Sequence, residues 1–160
     1  MSLIGINEIF LLINQRLYYM EDIAAYKAEK QLAIEDVEQE KRILRNATLL
    51  AEQKGITPNS IGPFFSALIH AAKLIQCHYQ SDWQKKSITK KHPQNLAQMR
   101  YKLIELNAFL IERLSQALIA GQKFDKTTSG SMIKMIYHLQ LSETHKRKIV
   151  TALQAIHLSQ

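Results

Sequence analysis

Two basic residues near the start of the chain, Arg16 and Lys27, have a spacing that favours one face of a helix. They are 11 positions apart, and at about 100° per residue this separation leaves a net rotation of roughly 20°. Arginine offers a planar fork of donors that matches a carboxylate, whereas lysine offers a compact positive charge. Both residues lie beside apolar neighbours at the predicted core boundary. The pair is suited to a small organic anion, although a solvated helix face has the same spacing.

Three more polar residues extend this candidate site. Asp36 and Glu40 are one turn apart on the next predicted helix. Acidic residues at that place either stabilise the N-terminal end of the helix through its dipole or accept hydrogen bonds from a ligand. Gln76 lies beside apolar residues of a later helix, and a buried neutral amide requires hydrogen-bond partners. Taken alone, each of these residues also fits a purely structural role.

The elements that must position these residues are all predicted to be helices. Apolar residues recur at three- and four-residue spacings, and the chain has only 5 glycines and 3 prolines. No segment is typical of a strand. The sequence therefore predicts an all-α fold, a bundle of about six helices with long antiparallel members. The predicted helices cover residues 3–32, 37–54, 59–83, 96–120, 132–139 and 143–158.

The whole chain, residues 1–160, is predicted to form a single domain. Its parts are a set of core helices over residues 3–83, a basic linker over residues 84–95, and a C-terminal helical part over residues 96–160. A length of 160 residues is sufficient for one sizeable core.

The net charge of +7 predicts attraction to anions, which include nucleic acid, a membrane surface and a small dicarboxylate. The lysine-rich linker lacks interleaved aromatic residues, so a solvated linker is favoured over a nucleic-acid contact. Apolar runs are too short to span a bilayer. The 6 histidines form no metal-ligand pattern. A single cysteine, Cys77, excludes an intrachain disulfide. We therefore expect neither a nucleic-acid nor a membrane partner, and no metal.

Taken in order, these motifs resemble one known family. The segments INQRL, IAAYK, LAIED, LIHAAKLIQ and SDW are similar to those of the secreted, or gamma, type of all-helical chorismate mutase. The resemblance covers residues 6–83 well and residues 96–118 weakly. The specific feature is the joint order: an arginine, a lysine eleven positions later, the IED motif, and a glutamine followed by SDW.

The resemblance implies a unimolecular rearrangement of chorismate to prephenate, with no cofactor and no covalent intermediate. A catalyst of this reaction holds a chair-like dianion and places donors against an ether oxygen that gains negative charge. The implied roles are that Arg16 clamps a carboxylate, Lys27 donates to a carboxylate and the ether oxygen, and Gln76 donates to the same ether oxygen. Asp36 and Glu40 orient the pocket and accept from the ring hydroxyl.

The sequence departs from the family pattern at three positions. Gln39 replaces an arginine that precedes the glutamate after IED, and Ala72 replaces a small hydroxyl or amide residue. Phe109 occupies the position at which we align another family arginine. Losing one charge-assisted contact costs about 1.5–3 kcal/mol, or roughly ten- to a hundredfold in rate. We therefore expect Gln39 to bind substrate weakly, and expect weakened catalysis unless Arg42 or Arg113 compensates, with Arg113 entering the binding site.

These departures leave two other functions open. One is a catalytically impaired helical binding module for a small aromatic dicarboxylate, and the other is lyase chemistry on isochorismate. For the favoured mutase, the resemblance implies chorismate as the small-molecule partner, a homodimer, and a periplasmic or secreted location. No signal peptide is recognisable in the sequence.

Overall fold

The architecture is a bundle of helices, here in a computed structural model that describes residues 4–88, 90 and 95–160. No strand occurs within these described ranges; an isolated antiparallel bridge joins Ile56 to Leu158. The all-α prediction is therefore confirmed. The α-helices are α1 (Ile4–Tyr18), α2 (Met20–Glu29), α3 (Val37–Gln53), α4 (Pro58–Lys85), α5 (Leu96–Ile119), α6 (Ser129–Lys134) and α7 (Glu143–Gln154), and a 3-10 turn (Lys126–Thr128) precedes α6.

The first predicted helix, over residues 3–32, is divided into α1 and α2 at Tyr19. Tyr19 keeps right-handed helical dihedrals, with φ −72° and ψ −13°. The amide of Ile23 still bonds to the Tyr19 carbonyl at 3.0 Å. The interruption is therefore local. Because the helical path continues through it, residues on either side can still face the same cavity.

Helix α4 is the central element of the bundle. It packs against α2, α3 and α7, while α5 packs against α1 and α3. Its start is favoured by Pro58 at the first helical position, where no amide hydrogen is needed. The largest fully buried apolar side chains of the bundle are Phe10, Phe64, Phe65, Ile9, Ile13, Leu17, Met20, Ile56, Ile61, Leu68 and Ile75.

The C-terminal part differs from the sequence prediction at two helices. The last one, predicted over residues 143–158, ends earlier, at Gln154. The predicted helix at residues 132–139 begins earlier and is shorter, as α6. The predicted cap of the last helix is present, since the Ser142 hydroxyl accepts from the amide of His145. Part of the basic linker, residues 89 and 91–94, lies outside the described residues. None of the described helices is long and apolar enough to span a bilayer.

The end of the chain is fastened to the loop between α3 and α4. The amide of Thr57 bonds to the His157 carbonyl at 2.9 Å, and the amide of Ser159 bonds to the Gly55 carbonyl at 2.8 Å. Buried residues of α7 also belong to the same apolar cluster as those of α1 and α4. We infer from these contacts that the chain folds as one domain.

If the C-terminal helices belong to that domain, a cavity in α7 should weaken the whole fold. Leu153 is fully buried, so Leu153→Ala should lower the free energy of unfolding by about 2–5 kcal/mol. The exposed neighbour Thr151 provides the control, because Thr151→Ala should change stability by less than about 0.5 kcal/mol. Urea denaturation measures both. If urea denaturation showed two separate transitions and Leu153→Ala shifted only that of the C-terminal part, the single-domain inference would be contradicted.

Candidate active site

One cavity is lined by residues of α1 to α5 and by the loop that precedes α3. Its wall contains six of the seven residues that the sequence predicts for the site. The lining residues are Arg16, Met20, Ile23, Lys27, Ile34, Asp36, Gln39, Glu40, Ile43, Ile69, Ala72, Lys73, Gln76, Leu96, Arg100 and Leu103. The cavity volume of about 70 Å³ is small for a ligand site. Contacts between wall residues, described next, account for its narrowness.

Arg16 is the most deeply buried charge of the cavity wall, with 2% of its surface exposed. Its Nε donates to Asn107 Oδ1 at 2.8 Å. Among the described residues no acceptor lies within hydrogen-bond reach of its buried Nη1. Burial lowers the pKa of Arg16 to about 10, so the guanidinium is still charged at neutral pH. The side chain therefore presents an unsatisfied charged donor beside the cavity.

Lys27 lies on α2 and is also buried, with 6% of its surface exposed. Its ammonium donates to the Ile34 carbonyl at 2.6 Å, which pulls the loop before α3 toward the cavity. Burial, and then the nearby charge of Arg100, lower the pKa of Lys27. One donor direction is thus occupied by a neutral carbonyl, and an ammonium group has three. An anionic ligand would meet a lysine that is incompletely neutralised.

Gln76 extends from α4 into the same wall and is buried. Its Nε2 donates to the thioether of Met20 at 3.4 Å, and its Oε1 has no hydrogen-bond partner among the described residues. A thioether is a weak acceptor. The amide can therefore turn its donor to a stronger acceptor at little cost.

Asp36 and Glu40 form the acidic part of the wall and cap α3 in a reciprocal arrangement. Asp36 Oδ1 accepts from the amide of Gln39 at 3.1 Å, and Glu40 Oε2 accepts from the amide of Asp36 at 3.3 Å. The bond from the Gln39 amide, and to a lesser extent Arg100, lower the pKa of Asp36. Both carboxylates thus have structural partners, as the simpler interpretation of their spacing predicts, and they also line the cavity.

Two cations of the wall were missed by the sequence analysis. Arg100 on α5 pairs with Asp36 at 2.9 Å. Lys73 on α4 pairs with Glu40 at 3.1 Å and with Glu35 at 3.0 Å, and these bonds raise its pKa. Helical spacing could have predicted both residues. Arg100 lies one turn from the inward-facing Leu96 and Leu103, and Lys73 lies one turn before Gln76.

The predicted placement of Arg113 is not found. Its Nε pairs with Glu8 at 2.8 Å, and it does not line the cavity. Arg113 is 13 positions beyond Arg100 on α5, which corresponds to about 20 Å along a helix. Phe109, where the alignment placed a family arginine, is 53% exposed and lines a separate groove. Of Arg100 and Arg113, both on α5, it is Arg100 that lines the cavity.

The other departures, Gln39 and Ala72, do lie at the cavity. Ala72 offers no polar group there. The Gln39 Oε1 atom accepts two hydrogen bonds from Arg42, from Nε at 3.2 Å and from Nη2 at 2.9 Å. Arg42 itself lines an adjoining cleft between α3 and α5, on the other side of Gln39.

Four cations and two carboxylates line the described wall, which leaves a formal excess of two positive charges. The cations are Arg16, Lys27, Lys73 and Arg100. Such a cavity is matched in charge to a small organic dianion. Within the described part of the chain, no three His, Cys, Asp or Glu side chains form a group that could hold a metal ion. The site thus defines an all-helical protein with a cationic cavity lined by residues of one chain.

Comparison with known proteins agrees with this class. The family described as chorismate mutase type II matches residues 7–77. A secreted chorismate mutase from Yersinia pestis is 33% identical over 147 residues, which cover 92% of this chain and 79% of that protein. A monofunctional chorismate mutase from Enterobacter agglomerans is 29% identical over 155 residues, covering 97% and 85%.

Solved structures show the same relationship. The crystal structure of the secreted chorismate mutase from Yersinia pestis has a TM-score of 0.88 and 32% identity, and the match covers 95% of this chain and 98% of that one. A chorismate mutase from Burkholderia thailandensis has a TM-score of 0.74 at 21% identity, covering 94% and 98%, and supports the fold alone. The chain belongs to the chorismate mutase family, as the sequence motifs predict.

The unpartnered donor of Arg16 has a measurable consequence for stability. Because burial lowers its pKa in the fold to about 10, well below the ordinary value for arginine, the charged form is disfavoured by folding. The cost, about 3 kcal/mol, is fully present at neutral pH and is relieved only as the pH rises through 10. Arg16→Met removes the charge at similar volume, so it should raise the free energy of unfolding of the unliganded protein by about 1–3 kcal/mol.

Urea denaturation without ligand at pH 7 measures this effect. Arg45→Met, at an exposed position of α3, is the control and should leave stability within about 0.5 kcal/mol. A loss of more than about 1 kcal/mol in Arg16→Met would show that the guanidinium stabilises the empty fold, contrary to this account.

Proposed function

We propose that the cavity binds chorismate and catalyses its rearrangement to prephenate, using only groups of this chain. The observation that carries the proposal is that Arg16, Lys27 and Gln76 line one cavity with Arg100, and that the cavity has an excess of two positive charges. Chorismate brings two carboxylates, which neutralise that excess. Membership of the chorismate mutase family supports the same reaction.

Arg16 and Arg100 are proposed to hold the two substrate carboxylates. For one of them Arg16 offers its buried Nη1, which has no hydrogen-bond partner among the described residues. Arg100 must exchange part of its bond to Asp36 for the other. A guanidinium binds a carboxylate in a fixed plane. Two such clamps at opposite ends would restrict the substrate to the compact chair-like conformer, and this restriction removes much of the entropic part of the barrier.

Lys27 and Gln76 are proposed to stabilise the ether oxygen as its bond to carbon breaks. Negative charge grows on that oxygen in the transition state, so donors fixed against it bind the transition state more tightly than the substrate. The ammonium of Lys27 gives up its carbonyl partner, and the amide of Gln76 gives up a thioether. Both exchanges replace a weaker acceptor by a more negative one.

Asp36 and Glu40 are proposed to accept the ring hydroxyl. Their oxygens are already bonded to backbone amides and to cations, but each carboxylate has about four acceptor positions. Lys73 holds Glu40 in place and stays protonated because its pKa is raised. In this proposal Lys73 orients an acceptor and is not itself a substrate ligand.

The alternative of a binding module rests on Gln39 and Ala72, which line the cavity and bring no charge. Arg100 weakens that argument because it supplies a cation that the sequence analysis had not assigned to the site. Turnover decides between the two, since a module would bind a bicyclic mimic of the transition state without converting chorismate. Mass identification of the product separates prephenate formation from lyase chemistry on isochorismate.

We also propose that the protein is exported to the periplasm or beyond and forms a homodimer. The secreted Yersinia pestis relative supports export. An exposed groove between α1 and α5, lined in part by Leu11, Tyr18 and Phe109, supports self-association, since exposed apolar patches commonly mark interfaces. Cell fractionation and sedimentation test these points. Recovery in the cytosol or a monomer at micromolar concentration would oppose them.

The roles of two arginines on α5 provide the sharpest activity test. Arg100→Gln removes a proposed carboxylate clamp and should lower kcat/KM for chorismate by about ten- to a hundredfold. Arg113→Gln, on the same helix but paired with Glu8, should change it by less than about threefold. The assay follows loss of chorismate and formation of prephenate. An equal loss in both variants, or none in Arg100→Gln, would contradict the proposed site.

The charge of Lys27 predicts a pH dependence. Burial lowers its folded-state pKa from 10.5, so the required ammonium is lost as the pH rises through a value below 10.5. The profile of kcat/KM, which reports the free enzyme, should therefore fall on the alkaline side. Lys27→Arg keeps the charge and should move this limb to higher pH. A limb at the same pH in both proteins would assign it to another group.

A further inference from the structure

The side chain of Gln39 is held from behind by an arginine that does not itself line the cavity. Arg42, one turn later on α3, donates to Gln39 Oε1 from Nε at 3.2 Å and from Nη2 at 2.9 Å. Gln39 lies on the wall shared by the cavity and the adjoining cleft, whereas Arg42 lines the cleft and not the cavity. The hydrogen-bonded pair thus connects the cleft, which Arg42 lines, with the cavity, which Gln39 lines.

The orientation of this amide determines its effect on an anion. A glutamine amide has an oxygen and an NH₂ group of nearly the same shape, and half a turn exchanges them. With the oxygen toward a carboxylate the contact is repulsive, and with the NH₂ group toward it the contact is a hydrogen bond. Because Arg42 offers only donors, it can pair with Oε1 and not with Nε2. The NH₂ group is then left for the cavity side.

We propose that Arg42 is a positioning residue that fixes the Gln39 amide so that Nε2 donates to a substrate carboxylate. This inference rests on the proposed function of the cavity. It accounts for how a neutral glutamine can serve where the family resemblance implies an arginine. The positive charge of Arg42 does not contact the substrate. It polarises the Gln39 amide, which makes Nε2 a stronger hydrogen-bond donor to the carboxylate.

A direct effect of the Arg42 charge is the competing explanation. Arg42 is exposed, so its field at the cavity is screened by solvent and salt. A field effect would persist without Gln39, whereas an effect through the amide requires Gln39. A double-mutant cycle on these two residues therefore separates the explanations.

The experiment measures kcat/KM for chorismate in the full chain. Gln39→Ala should lower it by about tenfold or more, as expected for a lost bond to a carboxylate. Arg42→Met should lower it by about two- to tenfold in the natural background and by less than about 1.5-fold in the Gln39→Ala background. Arg45→Met, which removes an exposed charge from the same helix, should have no effect in either background. Thermal unfolding of Arg42→Met should match that of the unmodified chain.

Three results would overturn the inference. An undiminished effect of Arg42→Met in the Gln39→Ala background would show that the charge acts directly. No effect of Arg42→Met in the natural background would show that the amide needs no support. If Gln39→Ala is itself without effect, the amide makes no productive contact. In each case chorismate turnover by the unmodified chain, with its loss in Arg100→Gln, leaves the proposed function standing.

Discussion

The candidate site is organised around a buried guanidinium, that of Arg16, whose hydrogen bonds are incomplete among the described residues. Its Nε donates to Asn107 Oδ1 at 2.8 Å, and its Nη1 has no hydrogen-bond partner in the part of the chain that the structure describes. An unpaired buried charge is expensive, and proteins generally avoid one. Here the surrounding apolar packing of α1, which places Ile13 and Leu17 in the core, holds the charge in place. In the proposed function, a substrate carboxylate supplies the missing acceptor and recovers this energetic cost.

The other donors of the cavity wall are bonded to acceptors that a ligand could replace. Lys27 is bonded to a carbonyl, Gln76 to a thioether, and Arg100 to the helix cap Asp36. Each of these three acceptors is either weaker than a substrate carboxylate or a developing oxyanion, or is shared with another donor. The wall is thus preorganised in position, while its donors can be transferred to a ligand. The same contacts explain why the cavity is narrow.

Residue spacing within single helices predicted much of this site. The prediction failed for α5, where the alignment had to cross the linker. The spacing of Arg16 and Lys27, and the position of Gln76, depend on single helices with strong apolar periodicity, and all three residues line one cavity. The cation from α5 was misplaced because alignment across the linker left the register undetermined. Arg113 was expected, and Arg100 is the residue at the wall.

The interruption at Tyr19 and the early start of α6 were not predicted because neither follows from a glycine, a proline or a change in periodicity. Tertiary packing determines such details, and propensity is a weak guide to them. The all-α class, by contrast, follows from the sustained periodicity of the long helices, and every long helix was predicted to within a few residues apart from that local break.

Calorimetric titration with a bicyclic dicarboxylate that mimics the chair-like transition state tests the central claim most directly. We expect tight binding to the unmodified chain and about a hundredfold or greater loss of affinity in Arg16→Met, because one charged clamp on a buried carboxylate is removed. Equal affinity of the two proteins for the mimic would contradict it, since the buried guanidinium would then have no anion to hold.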